Sequence, residues 1–449
     1  MGTYYLVTLG CPKNVADSEG METLLQHQGY RPASTAEEAD VLIVNTCGFL
    51  QAAREESVAT LNELGRRKAP GQLLIAAGCL SEREGERLAD DVPALDGIIG
   101  TQQWVHITTL VEHLRSNGER RHAYVMPSDG HNHVVASVLR PAQGHTAYLK
   151  IADGCSAPCA FCTIPSFKGP QRSKRPGAVI REARMLAAQG VQEVILVAQD
   201  LTAYGRDWGQ ADGLPWLLER IVQEVPEIPW IRLMYAYPGH VSDRLIEVMA
   251  RHKAILHYLD IPLQHGHPDV LKRMRRPHKV ERMYALFEKL REAMPDICLR
   301  TTFIVGYPGE TEEEFQGLLD FMSAVQFDKV GIFVYSREPG TPSAELPDHV
   351  PEEVKQERRE RAMAHQQHIA LARQEAQLGR TLEVLVDGYD PANAVTLARS
   401  YREAPEVDGY VLLRERRRPG ERLRVRITGA LPYELEGRVL RRELLRPPA

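Results

Sequence analysis

Seven cysteines stand in a chain of 449 residues, and their placement limits the fold more than any other feature. Six of them form two sets of three. Cys11, Cys47 and Cys79 lie more than thirty residues apart. Each closes a short apolar run that reads as a β-strand, at 4–8, 41–44 and 73–76. Cys155, Cys159 and Cys162 crowd into one loop. The odd, low count argues against a disulfide scaffold, and grouped cysteines in a long chain more often serve metal or redox chemistry. Helix-like stretches at 17–28 and 51–67 separate the first three runs. Strands alternating with helices indicate βαβ units and a parallel sheet. Ligands of open α/β sheets bind beyond the carboxyl ends of the strands, so three cysteines at three such ends can converge.

The rest of the chain repeats the alternation and then abandons it. Turn and linker residues (Asn117-Gly118, Pro127, Asp129-Gly130, Pro141) fill 116–144. Six further strand candidates follow at 147–151, 193–198, 230–235, 256–261, 298–305 and 329–335. Helix candidates at 179–189, 242–251, 280–293 and 311–325 lie among them. Six such units suggest a curved parallel sheet, a partial (β/α) barrel with its active site at the C-terminal strand ends. Residues 351–378 read as one long charged helix that opens on Pro-Glu-Glu and stops at Gly379. Short alternating runs at 382–386, 409–413, 423–427 and 436–440 read as a small all-β barrel or sandwich. The expected class is therefore α/β with an all-β appendage. The expected domains are 1–135, an N-terminal parallel α/β unit; 136–378, the partial barrel; and 379–449, the β-domain. About 150 residues per domain also suggests three.

Composition excludes several classes. Hydrophobic residues are 43% and charged residues 26%, an ordinary globular balance. A net charge of −5 excludes a whole-chain polycation that coats nucleic acid. No apolar run approaches the roughly 18 residues of a membrane span. The N-terminus lacks a basic segment followed by a long apolar core, so the expected compartment is the cytosol.

The second cysteine set carries the strongest chemistry. Gly154-Cys155-Ser156-Ala157-Pro158-Cys159-Ala160-Phe161-Cys162 spaces its thiols as Cys-x₃-Cys-x₂-Cys just after the first strand of the second domain. A 4Fe–4S cube normally takes four cysteines, so three local ligands leave one iron open. An open position separates a reactive metal site from a closed structural one. A zinc ribbon would need a second Cys-x₂-Cys knuckle, and none lies nearby. This motif resembles that of the radical S-adenosylmethionine (SAM) superfamily. The resemblance implies that Cys155, Cys159 and Cys162 hold a 4Fe–4S cluster, that SAM chelates its open iron, and that reduction yields a 5′-deoxyadenosyl radical. The cofactor then supplies the radical chemistry while the protein orients it.

Cys11, Cys47 and Cys79 read on their own either as a second metal centre or as three unrelated buried thiols. With the radical SAM motif and the C-terminal β-domain beside them, the whole chain resembles the methylthiotransferases, whose β-domain is of the TRAM type. Leu9-Gly10-Cys11-Pro12-Lys13-Asn14 and Asn45-Thr46-Cys47-Gly48-Phe49 are similar to the branch called RimO, which modifies ribosomal protein S twelve (uS12). Gln199-Asp200, Tyr204-Gly205 and Asp260-Ile261-Pro262-Leu263-Gln264-His265 fit that branch too. The tRNA-modifying branch, MiaB, typically carries Gly-Cys-Gln-Met-Asn at the first position. The resemblance implies two 4Fe–4S clusters, the second on Cys11, Cys47 and Cys79, and SAM as both radical source and methyl donor. It implies a methylthio group placed on the β-carbon of an aspartate, with a flavodoxin or ferredoxin as electron donor. A tRNA adenosine is the alternative substrate.

Gly306 and Gly309, in Ile304-Val305-Gly306-Tyr307-Pro308-Gly309-Glu310, resemble the element that lies against SAM in radical SAM enzymes; alone they would read as a strand-to-helix turn. Phe161, Gln199 and Gln264 are further candidates for SAM or substrate contact, and each equally fits a polar or packed residue at a barrel rim. His131 and His133 read as a solvated loop. Arg172, Lys174 and Arg175 read as a solvated charge run. Cys298, opening an alternating run, reads as a structural thiol. Residues 381–449 hold thirteen arginines and eleven acids, a mild excess that favours a protein substrate over a dedicated nucleic-acid surface.

Overall fold

The computed structural model describes residues 2–116, 124–126 and 144–440. His131, His133 and the expected boundary at 135–136 lie outside the described residues.

The first sheet is wholly parallel. Its strands are β1 (Thr3–Thr8), β2 (Arg31–Pro32), β3 (Val41–Thr46), β4 (Leu73–Gly78), β5 (Gly97–Gly100) and β6 (Tyr124–Val125), in the order β2-β1-β3-β4-β5-β6. Strand residues alternate between two apolar layers, as the period of two requires. Val41, Ile43, Leu73 and Ile75 meet Met21, Leu25 and Leu110 on one face. Leu42, Val44, Leu74 and Ala76 meet Leu61, Leu64 and Leu88 on the other. Buried on both sides, these strands read as continuous apolar runs, which is why three of them were visible in sequence. The other three span two to four residues, too short for a periodic signal. The first helix runs Pro12–His27 and so begins five residues before the expected start at 17. Pro12 at its first turn and Cys11 as its extended N-cap set that start.

The second sheet is also parallel. Its strands are β7 (Thr146–Lys150) and, after a small antiparallel pair β8 (Ala152–Asp153) and β9 (Arg172–Ser173), β10 (Glu193–Val197), β11 (Trp230–Leu233), β12 (Ile255–Asp260), β13 (Cys298–Val305) and β14 (Lys329–Val334). They run in strict order, β14-β13-β12-β11-β10-β7. Helices including Pro176–Ala188, Gly213–Glu224 and Glu312–Val325 pack one large apolar core on one face. The other face gathers Tyr148, Ile195, Val197, Tyr258 and Cys298 against Leu385 and Ala404 from the C-terminal unit and Val15 from the first helix.

The helix Glu352–Glu375 leads past Gly379 (φ +77°) into a closed barrel of β15 (Thr381–Asp390), β16 (Val395–Arg399), β17 (Val411–Leu413), β18 (Arg422–Ala430) and β19 (Leu435–Val439). Its loop 400–408 enters the concave face of the second sheet. Arg232 of β11 donates to the carbonyls of Tyr401 (2.7 Å) and Ser400 (3.2 Å). Tyr258 Oη donates to Asp408 (2.8 Å), and the Cys298 thiol to the Arg402 carbonyl (3.4 Å). Cys298 is thus the structural thiol expected. Below it, Glu193 joins Arg232 (2.6 Å) and Arg399 (2.5 Å), and Asp328 joins Arg402 (3.0 Å) and Arg373 (3.0 Å).

Buried ion pairs also join the first sheet to the second. Lys150 meets Asp17 of the first helix and Asp153 (3.1 Å). Glu338 binds Arg83 (3.2 Å) and the Gln51 backbone N–H (2.8 Å). Lys174 corrects an expectation: it is buried and paired with Glu182 at 2.5 Å, inside the charge run that reads as solvated. Among the described residues no helix is long and apolar enough to cross a membrane.

Candidate metal centres

Cys11, Cys47 and Cys79 follow β1, β3 and β4, three adjacent strands. The chain leaves β1 for β2 on one side and then crosses to β3 on the other. The crevice at such a reversal is where open α/β sheets bind ligands, and Cys11 and Cys47 flank it. Gly10 brings the first two together: it holds φ +92°, and a Cβ there would lie 2.9 Å from the Cys47 sulfur. Asn14, fully buried, ties all three loops. Its side-chain N–H donates to the carbonyls of Leu9 (2.8 Å) and Thr46 (3.0 Å), and its Oδ1 accepts from the Cys79 thiol (3.6 Å). Ser57 fixes Cys47 by accepting from its N–H and donating to its carbonyl, each at 3.0 Å.

The second set hangs on one loop pinned from three directions. Gly154 (φ +71°) leaves no room for a Cβ, which would fall 2.3 Å from the Pro170 carbonyl. Cys155 N–H donates to the Gly169 carbonyl (3.0 Å), Ala160 N–H to that of Met274 (3.0 Å), and Ser343 N–H to that of Ala160 (2.9 Å). Arg276 donates to the Cys159 sulfur at 3.5 Å, and its guanidinium carbon lies 4.4 Å from the centre of the Tyr237 ring.

Charge sets one thiol apart. Burial raises Cys47 and Cys155, and pushes Cys79 and Cys162 up to about 12. Cys11 moves the other way. Burial pushes it up too, but Lys13, the Asn14 N–H and Lys168 outweigh that and bring it below the ordinary thiol value. Lys168, from the helix just after Cys162, reaches Thr101 (2.8 Å) and Asp153 (3.1 Å). Burial would raise the Asp153 carboxyl, yet Lys150 and Lys168 hold it well below the usual carboxylate range.

The donors suit clusters better than single ions. Thiolates around one tetrahedral zinc sit about 4 Å apart. Among the described residues, His267, Asp269 and Glu314 are the three ligating side chains whose donor atoms all lie within 4.8 Å of one another, and neither thiol set is gathered so tightly. That trio is otherwise engaged: Arg273 pairs with Glu314 at 2.6 Å, and His267 caps a helix through the Asp269 N–H. Gln199, just past β10, keeps both side-chain polar atoms buried without a partner among the described residues. Gln264 holds φ +78° and bridges to Phe303. Phe161 packs beside Met274, Tyr307 and Tyr335. The Gly306 N–H donates to both Glu310 oxygens (3.0 Å), and Lys355 packs over that glycine; a Cβ on Gly309 would meet nothing nearer than Arg273 at 3.9 Å. Asn14 and Lys13 are functional candidates that motif reading quoted but did not single out.

Comparison with known proteins agrees with this architecture. The radical SAM superfamily profile matches 149–322, that of the uncharacterized protein family UPF0004 matches 3–100, and the TRAM domain matches 378–440. A radical SAM methyltransferase, TsrM from Kitasatospora setae, solved with cobalamin and a 4Fe–4S cluster, shares the fold at TM-score 0.56 and 17% identity, over 76% of this chain and 77% of its own. Fold, family profile and thiol loop together define a radical SAM enzyme, with SAM and iron–sulfur chemistry at its centre. A ribosomal protein uS12 methylthiotransferase RimO from Chloroflexus aurantiacus is 48% identical over 97% of this chain and 99% of its own length. Its counterpart from Symbiobacterium thermophilum is 45% identical over 96% and 90%. The chain belongs to the RimO family of methylthiotransferases.

Proposed function

We propose that this enzyme replaces a hydrogen on the β-carbon of an aspartate in ribosomal protein uS12 with a methylthio group. Cys155, Cys159 and Cys162 would hold one 4Fe–4S cluster, and Cys11, Cys47 and Cys79 an auxiliary one. When bound, the first cluster and SAM supply a 5′-deoxyadenosyl radical, which an unactivated C–H bond requires because no side-chain base removes such a proton at a useful rate. Phe161, Gln199, Gln264, Gly306 and Gly309 would line the SAM site, Gln199 offering its unpaired amide. Asn14 and Ser57 hold the three loops of the auxiliary site in place. The Lys150, Asp153 and Lys168 pairs lock the two thiol sets in one frame, so that a side chain entering between them meets both. In this reading residues 1–135 deliver sulfur, 136–378 generate the radical and 379–449 support the barrel. A flavodoxin or ferredoxin supplies electrons, in the cytoplasm.

The observation that carries this reading is the convergence of two three-thiol sets on the C-terminal ends of two parallel sheets joined by a buried charged seam. Intact-mass analysis of uS12 after incubation with reduced, reconstituted enzyme and SAM tests it. The expected result is the gain of one methylthio group. No gain on uS12, with methylthio-adenosine appearing in tRNA instead, would overturn the choice of substrate.

A further inference from the structure

Four buried cationic side chains surround the two thiol sets: Lys13, Lys150, Lys168 and Arg276. Three are fully engaged. Lys150 and Lys168 have carboxylates, and Arg276 has the Cys159 sulfur and the Pro262 carbonyl. Lys13 differs. It is only 8% exposed, and its ammonium has no carboxylate within ion-pair distance among the described residues and faces Tyr235 and Cys11 instead. Its Nζ lies 3.6 Å from the centre of the Tyr235 ring. Asp260 faces the same space, but Arg300 (2.9 Å) and the Tyr235 N–H (3.1 Å) already occupy its carboxylate. No carboxylate of the described residues pairs with this ammonium; burial disfavours its charge, and the Tyr235 ring and the Cys11 thiol beside it outweigh that. Departures of this kind concentrate at functional sites.

The ring partner is itself held in an uncommon conformation. Tyr235 has φ +67°, rare for a bulky residue. The segment from Tyr235 to Tyr237 spans the site: the first ring takes Lys13 beside Cys11, the second takes Arg276 beside Cys159. Lys13 therefore stands between the two thiol sets, two residues from a thiol of the sulfur-delivering one.

We propose that Lys13 is the specificity residue for the target side chain, its ammonium binding the carboxylate of the aspartate to be modified. This rests on the reading of an aspartate as substrate. That carboxylate is one bond from the β-carbon, so a cation that holds it also places the reacting carbon. Lys13 lies in the first turn of the helix that Cys11 caps, which fixes the distance between carboxylate anchor and sulfur source. A neutral side chain of similar shape offers the ammonium no charge and leaves it unpaired, the situation in which polar sites discriminate most strongly.

The test uses reconstituted holoenzyme with SAM and without reductant, so that binding is read without turnover. Mass mapping of the reaction locates the modified uS12 aspartate, and the ligands are uS12 and its Asp→Asn form at that position. Wild type is expected to bind the aspartate form about tenfold or more tightly, the worth of one charge-assisted contact. Lys13→Met is expected to bind both forms alike, with iron at both centres as in wild type. If Lys13→Met loads poorly, Lys13→Gln replaces it. Equal affinity of wild type for the two forms, or discrimination that survives in the loaded variant, overturns the proposal. Weaker SAM binding in the variant with discrimination intact assigns the ammonium to the SAM carboxylate and likewise overturns it. Failure of wild type to modify uS12 at all is a separate result, which removes the substrate reading itself.

Discussion

The two thiol sets look alike in number and differ in how they are built. The first is assembled by topology. Its cysteines come from three strands, and one asparagine gathers their loops. The second is assembled by a loop whose thiols are neighbours in sequence before anything folds. Their supporting frames differ too. Helices cover both faces of the first sheet, whereas the concave face of the second is filled by loop 400–408 of the C-terminal barrel. A centre made by topology depends on every strand that feeds it. A centre made by a loop depends on the few contacts that pin the loop.

The largest effect should come from the thiols themselves. Replacing Cys155, Cys159 and Cys162 together by alanine should abolish methylthio transfer and lower iron from about eight to about four per chain. The triple change at Cys11, Cys47 and Cys79 should lower iron equally. Loss of all iron from either variant would show that the two sets are one site and dissolve the comparison. Glu193→Gln should come next. It leaves Arg232 and Arg399 buried around a neutral group, and urea unfolding should show destabilisation of about 3–5 kcal/mol. The loss should centre on the second sheet, read by faster hydrogen exchange in β10 and β11 than in β3 and β4.

Asn14→Ala should separate the centres without touching a thiol. It removes the donor to two loops and the acceptor for the third, a loss of about 2–3 kcal/mol. Iron at the first centre should fall while the spectrum of the second persists. The smallest effect is one of pH. Burial raises the Asp328 carboxyl, but Arg402 and Arg373 outweigh it and hold its folded-state pKa below the ordinary value. Its contribution is therefore complete above the unfolded value of about 3.9 and is lost as pH falls from there through the folded pKa. Asp328→Asn should be less stable than wild type at pH 6, and the gap should narrow toward pH 3 in urea unfolding.

Much of the site was legible because cysteine is rare and carries chemistry wherever it clusters. The loop of Cys155, Cys159 and Cys162 could be read directly, and the dispersed set could be read because both-faces-buried strands announce themselves as apolar runs. What escaped notice shares one cause: polarity in sequence does not reveal burial. Lys13 and Asn14 were visible only as letters in a motif. Lys174 read as solvated until Glu182 was found beside it. The arginine excess of residues 381–449 counted Arg399 and Arg402 toward a charged surface, although both lie inside, against Glu193 and Asp328. Ion pairs between distant segments have no local pattern, so the seam of Asp17, Lys150 and Asp153 could not be foreseen from spacing.

The pinning of the second loop also sets a timetable. Every strand of the first thiol set lies within the first 125 residues, so its frame can close while the rest of the chain is still being made. The loop at 155–162 waits longer, because Ala160 is held from both sides by Met274 and Ser343. During synthesis the frame of the first thiol set is thus finished first, and that of the second only when just over three-quarters of the chain exists. If the two sets divide the work as proposed, the half that makes the radical is completed after the half that gives it a destination.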